Sequence, residues 1–599
     1  MTGFSSRTVL PFAFLLLTAC GAPPAPPAGR AAPAPVPRTE VYRIVESYWD
    51  AYLALNPLQA TAAGEHQFDD RIGTPLSVEH LANSLALERR ALHDLLAVPE
   101  ASLDAETRLT YELFRRQREQ AIEGFTYPAE LLPVNPFDSL PQRFALLGSG
   151  GGAQPFATEK DYENWLARIE DYRRWTDQAI ANMREGLRRG YSLPRGLVER
   201  TLPQLESLGE DTDVNVFYQP LRTMPHSIAE RARAQLARRF AEAVKTRLLP
   251  SYRELHDFLK SEYLPRARAG LALSELPLGQ AWYAYLVKRS TATALTPAEI
   301  HSTGLAQVES LRGRMQAFLA ETAFPGNLAG YIAYLRSDPH GRFASGEELL
   351  AAYRDLKSRA AQAVPASFAP PAVADYEIRS VPHGCEAAFP AAFYQGAALQ
   401  AGRLAIVYVN ATDLQVTPAY ALETRSLNLG VPGHHLQRAI QLVREARPRF
   451  RRFAVFPGFS EGWGAYAASL GEELGFYKDP TTRFGALLAE MHAAAALVVD
   501  TGLHAKGWSR RQALDYLEAH TAMDETEAGA AVDRYSALPA ASLAAGIGEL
   551  AIRAIRQHAQ QQLGAGFDTR AFHTELLEGG ALPLDMLEAK MARWVQARP

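Results

Sequence analysis

Apolar residues recur at helical spacing along most of the chain. Ile44, Tyr48, Tyr52 and Leu55 fall on one side of a helix over 42–55, because residues three and four apart are neighbours there. The same pattern returns over 81–96, 109–122, 162–187 and 228–259. Thr296-Pro297-Ala298-Glu299 marks a further helix start. Thr caps, Pro fits the first turn and Glu reaches back, so a helix should run to about residue 319. Two stretches break the pattern. Residues 376–381 and 403–409, the second reading Arg-Leu-Ala-Ile-Val-Tyr-Val, predict strands flanking Pro- and Gly-rich turns. After Tyr420 the helical pattern resumes. The expected fold class is mainly α, a large multi-helix domain with a small β-sheet near the middle. No internal repeat is visible. A seam at 270–279 separates an N-terminal helical region, 39–275, from a C-terminal region, 276–599.

The first residues follow another rule. Met1 to Arg7 carries one positive charge, and Val9 to Ala19 is almost unbroken apolar sequence. That run is too short for a bilayer, which needs about 20 apolar residues, and it reads as a secretory signal over 1–20. Leu17-Thr18-Ala19-Cys20 resembles the lipobox of bacterial lipoproteins, in which the Cys carries a lipid. A plain signal with an incidental Cys is the alternative. The rarity of Cys in this chain, two in all, favours lipidation at Cys20. Residues 21–38 are nearly all Ala, Pro and Gly. Such a segment cannot bury a core and reads as a tether. Gly21 stands where an Asp would signal inner-membrane retention. The resemblance therefore implies an outer-membrane address facing the periplasm.

With Cys20 lipidated, Cys385 has no partner, so no disulfide holds the fold. Cys385 is expected to be a small buried residue. Net charge is −4 and the pI about 6.5, with both signs interspersed. Nucleic acid is not an expected partner, and no later apolar run reads as a membrane span.

Four clusters after residue 420 could carry chemistry. Pro432-Gly433-His434-His435 places two imidazoles at a helix start. Imidazole is a common zinc ligand, but one buried and one exposed His would give the same letters. Phe459-Ser460-Glu461-Gly462-Trp463-Gly464-Ala465-Tyr466 sets a carboxylate among aromatic and small residues, with Ser460 as a natural cap. Glu461 is either a partly desolvated functional acid or a first-turn residue favoured by the helix dipole. Asp500 and His504, four apart, can share a helix face. They form either a carboxylate–imidazole pair, supporting a metal or acting on a proton, or a helix end at Gly502 with a surface His. Asp533-Arg534-Tyr535 closes a helix and is otherwise a solvated face.

In this order the motifs Pro-Gly-His-His-Leu-Gln, Glu-Gly-Trp, Asp-Thr-Gly-x-His and Arg-Tyr resemble the bacterial family of domain of unknown function 885. Trp282-Tyr283 and Tyr408-Val409-Asn410 fit it as well. The resemblance is strongest over 276–556. That family is grouped with the zincin metallopeptidases, which implies a zinc held by about three protein ligands and a Glu base. By the resemblance, the family's His-Glu falls on Asn428 and Leu429. An amide is a weak zinc ligand, and Leu cannot take a proton. The family's Gln, Tyr and Lys near the end fall on Ala541, Ala545 and Gly546. Tyr and Lys could donate to an oxyanion. Its Arg-rich helix falls on 490–496, which holds no Arg.

The retained candidate site is His434, His435, Glu461, Asp500, His504, Arg534 and Tyr535, with His434, His435 and Glu461 as the metal candidates. Zinc is expected to be weakly held or absent. The leading expectation is a catalytically impaired, metallopeptidase-like lipoprotein that binds peptide, protein or envelope material. One alternative is an active hydrolase with a rebuilt site, using Glu423 or Asp500 as base. The other is a structural envelope lipoprotein.

Overall fold

The computed structural model describes residues 40–338, 341–369, 372–412, 414 and 417–598. The signal segment, Cys20 and the tether lie outside the described residues.

The expected helices are present, each a few residues longer than its apolar pattern because capping turns extend it. They include α1 (Glu40–Leu55), Val78–Leu96, Ala105–Gly124 and α2 (Glu159–Arg189). Thr158 and Asp161 form a capping box at the start of α2. The 228–259 stretch is helical but not uniformly α. Wider turns at Val244–Leu248 and Leu259–Tyr263 interrupt it. α3 (Arg195–Gly209), α4 (Gly279–Thr291) and α5 (Pro297–Glu321) follow. The Thr296–Glu299 capping box forms as the sequence predicts.

The two expected strands appear as β1 (Tyr376–Ser380) and β3 (Ala405–Val409), paired in parallel with Tyr376 opposite Ala405. Between them in sequence lies β2 (Ala392–Gln395), antiparallel to β3 with Tyr394 opposite Val407. The order is β1-β3-β2. Central β3 is buried at every position, which explains its continuous apolar run. β2 is half-buried along its length and forms an edge. Four residues, Ala-Phe-Tyr-Gln, are too few to display an alternating pattern, so it escapes sequence reading.

Six further helices build the site region: α6 (Leu422–Leu429), α7 (His434–Leu442), α8 (Pro457–Ser469), α9 (Pro480–Lys506), α10 (Glu525–Ala537) and α11 (Leu543–Leu563). Two local expectations change. Ser460 does not cap α8, which begins at Pro457; its hydroxyl is buried without a partner. α9 does not end at Gly502 but runs to Lys506, where Gly507 at φ 69° closes it. α9 is also long and apolar enough to cross a membrane, unlike the expectation for this region, with a mean hydropathy of 1.4 over its best window. Its apolar side chains, from Leu488 to Leu503, pack inside the fold. It is therefore the core helix of this protein.

α8 and α11 cross at backbone contact. A Cβ on Gly462 would lie 2.4 Å from Gly548 Cα, and one on Gly548 would lie 1.8 Å from the Gly458 carbonyl oxygen. No side chain fits between these helices, so Gly-x-x-x-Gly on α8 is a packing requirement.

Asp500 ties α9 to its neighbours. Its buried carboxylate accepts bonds from the Tyr283 hydroxyl (2.6 Å), the Ser542 hydroxyl (2.8 Å) and the Ala540 amide (3.1 Å). Burial pushes its pKa up, opposed by His504 and these donors. Tyr283→Phe removes one donor from a buried acid. It should cost about 1.5–3 kcal/mol, read by denaturant titration. A loss below about 0.5 kcal/mol would contradict this role.

Candidate functional site

The site begins at a turn. α6 ends at Leu429, and the chain doubles back through Gly430–Gly433 into α7. A Cβ on Gly433 would lie 1.9 Å from the Asn428 carbonyl oxygen, so only glycine allows this return. The buried Trp463 of α8 holds the turn by donating its indole N–H to the carbonyls of Pro432 (3.0 Å) and Gly433 (3.1 Å). The consequence is that Asn428, His434 and α8 meet. A Cβ on Gly464 would lie 2.8 Å from His434 Nε2 and 3.1 Å from Asn428 Nδ2. Glu461, one turn earlier on α8, places Oε2 3.5 Å from His434 Nε2.

The Glu461 side chain is 52% exposed, against 11% for His434. An open carboxylate beside a nearly buried imidazole marks the mouth of a candidate cleft. Burial raises the Glu461 pKa, but His434 and Arg534 outweigh it, and the net shift is downward. Glu461 is therefore a carboxylate at neutral pH.

Tyr394, on edge strand β2, stacks near His434 with ring centres 6.5 Å apart. Arg534 of α10, whose charge acts on Glu461, stands 5.4 Å from the Phe137 ring, and Arg200 of α3 lies 5.2 Å from that same ring. Arg200 also lines an apolar pocket of about 240 Å³ between α3 and the segment around Cys385. That pocket contains none of Asn428, His434 or Glu461. Cys385 is buried, and desolvation pushes its thiol up to about 12.

The other candidates from sequence are placed elsewhere. His435 points away from His434, to Tyr376 (4.4 Å between ring centres), and donates Nε2–H to the Ala374 carbonyl at 3.0 Å. His504 is fully buried. Its Nδ1 accepts the Leu273 amide (2.9 Å), and its Nε2 donates to the Tyr535 carbonyl (3.0 Å). Both nitrogens are thus used by backbone, and burial lowers its pKa. Asp500 is engaged as described. Glu423 accepts from Arg359 (2.9 Å) and from the Tyr477 amide (2.8 Å). The Tyr535 ring belongs to the core around α9. Gly546 faces α9, where a Cβ would lie 3.3 Å from the Ala493 carbonyl oxygen and from Leu497. Ala545, the neighbouring position, is partly exposed. Leu429 packs partly buried against the main core.

The donor set at the cleft is therefore one imidazole, one carboxylate and one amide. Among the described residues no group of three or more His, Cys, Asp or Glu side chains converges. This set does not fit a catalytic zinc centre, which takes about three strong ligands and a nearby base. Gly464 belongs to the Glu461 cluster of the sequence, one turn from the acid; Tyr394 is not legible there, because β2 itself is not.

His435 makes a pH prediction. Burial lowers its pKa to about 4, and His573, bonded to the Ser367 carbonyl and the Tyr466 hydroxyl (both 2.8 Å), is likewise near about 4. The unfolded imidazole titrates near ~6.5. Stability is therefore complete above about pH 6.5 and falls as pH drops towards about 4, because the unfolded state binds more protons. Each should remove on the order of 2 kcal/mol by pH 4.5. His435→Gln should flatten the slope measured by urea unfolding between these limits; an unchanged slope would be the wrong result.

These features define a class: a mainly α protein in which a small sheet and paired helices frame a His–Glu–Asn cleft. The chain belongs to the bacterial protein family of unknown function DUF885, whose model matches residues 57–591. Among solved structures it is similar to a "putative lipoprotein" from Colwellia psychrerythraea, with a TM-score of 0.86 and 22% identity over 93% of this chain and 99% of that one. It is also similar to a "putative lipoprotein of unknown function" from Shewanella oneidensis, with a TM-score of 0.68 and 15% identity over 92% and 99% of the two chains. No curated protein matches it.

Proposed function

We propose that this chain is a lipid-anchored protein of the outer membrane, facing the periplasm, whose metallopeptidase-like cleft binds peptide without cutting it. The carrying observation is the convergence of Asn428, His434 and Glu461 at one point, next in sequence to the partly buried Leu429. The scaffold of a zincin site is retained in this reading, while one ligand is an amide and the base position is apolar. The lipobox at Cys20 and the lipoprotein names of two structural relatives support the anchor.

β2 supports the ligand class. It is an edge strand whose outer side pairs with no other strand among the described residues, and Tyr394 places it beside His434. An extended peptide can add to such an edge, with main-chain bonds giving affinity. The test is occlusion. Gly464→Val crowds the His434 and Asn428 side chains, since its Cβ alone would lie 2.8 Å from His434 Nε2 and 3.1 Å from Asn428 Nδ2, and so displaces them. It should weaken retention of a random peptide pool by tenfold or more, about 1.4 kcal/mol, with helical circular dichroism unchanged. Equal retention by the variant would refute binding at this cleft.

A further inference from the structure

The pocket between α3 and the turn before β2 has a built interior. Its volume is about 240 Å³. Ala145, Leu208 and Cys385, all buried, form its floor. Pro203, Ser207, Gly384 and Ala387, all exposed, form its lip, so it opens to solvent.

Its walls are braced by one chain of hydrogen bonds. The Ser139 hydroxyl donates to Gln142 Oε1 (2.6 Å), on the helix Leu140–Gly148. Gln142 Nε2 donates to Gln204 Oε1 of α3 (2.9 Å). Gln204 Nε2 then donates to the carbonyls of Pro136 (3.1 Å) and Ala387 (3.2 Å). The last bond ties α3 to the opposite wall, so the space between them is preformed. The same chain uses every polar atom of the two buried amides. None is left to meet a ligand.

The charges beside the pocket are committed as well. Arg200 stands 3.5 Å from Asp533 and over the Phe137 ring. Glu386 accepts from the Gly384 amide (2.6 Å) and pairs with His383 (3.1 Å). A polar or charged ligand entering here would lose its water and find no interior partner. An apolar one loses nothing polar and releases the water that such a surface holds poorly. The Cys385 sulfur adds a soft, polarizable contact at the floor.

We infer that this pocket is a second ligand site, separate from the His434 cleft, for a small uncharged apolar molecule. A cavity of about 150 Å³ already holds benzene, so a body of about two fused rings suits this one. The inference does not rest on peptide binding.

Cys385 reports occupancy, because it lines the floor. The full-length lipoprotein in lipid nanodiscs is treated at about pH 9, where more thiolate forms, with methyl methanethiosulfonate, a small uncharged thiol reagent. Labelling of Cys385 is followed by peptide mass spectrometry. Naphthalene should slow it by at least about threefold, along a saturating curve. Glucose, a polar molecule of similar size, should leave it unchanged. Ser207→Trp and Ala387→Trp each set a ring at the exposed lip. In both, with circular dichroism unaltered, the naphthalene effect should vanish. No slowing by naphthalene, or equal slowing by glucose, overturns the inference. A naphthalene effect undiminished in both variants does the same. So does a folded protein whose Cys385 the reagent never reaches, since the floor would then be closed to small molecules.

Discussion

Zinc should bind a chain carrying Asn428→His more tightly than the natural chain by a factor above about 100, since even lost supporting groups cost roughly 10–100-fold at metal sites. The geometry supplies the reason. Asn428 Nδ2 and His434 Nε2 both lie within 3.1 Å of one point, and Glu461 Oε2 is 3.5 Å from His434. An imidazole at 428 would replace the weak amide donor beside two strong ones. Calorimetric titration of the full-length protein measures the change. His434→Ala in the same background should remove the gain. Adding Leu429→Glu places a carboxylate at the apolar base position, and any peptide hydrolysis should rise by about 10²–10⁴ over the single variant. Unchanged zinc affinity in Asn428→His would mean that the three positions do not form one site.

Gly548→Ala should cost about 3 kcal/mol or more, towards the upper end for overpacking. The new Cβ would stand 1.8 Å from the Gly458 carbonyl oxygen, a backbone atom that no rotamer change can move. α8 and α11 must separate, and Glu461 and Trp463 move with α8. The same substitution should therefore loosen the 430–433 turn that Trp463 clamps. Urea unfolding reads the stability, and Trp fluorescence reads the turn. A loss below about 1 kcal/mol would show that the crossing can yield. Gly313→Ala, with nothing within 4 Å of its Cβ position, is the matched control.

Helices are legible in this sequence because their apolar stripes are long and their starts carry caps, as at Thr158 and Thr296. Strand β3 is legible because it is buried on both faces. β2 is not, since its side chains are neither alternating nor fully buried. Helix ends fail for a related reason. Gly502 and Ser460 look like boundary residues, yet tertiary packing carries α9 and α8 through them, with Gly502 against the Trp508 ring. Of the site, the motif letters identify His434 and Glu461, but they do not say which of two adjacent imidazoles faces the carboxylate. The return of the chain at Gly433 decides that, and it sends His435 to Tyr376 and Ala374. Asp500 and His504 share a motif with the site but bond to Tyr283 and backbone instead.

The central claim is a cleft that holds peptide and leaves it intact. Mass spectrometry of a peptide pool incubated with stoichiometric full-length protein and added zinc tests it directly. The account predicts retained, uncut peptides and no new termini. New termini that disappear on chelation, with zinc near one equivalent per chain, would contradict it.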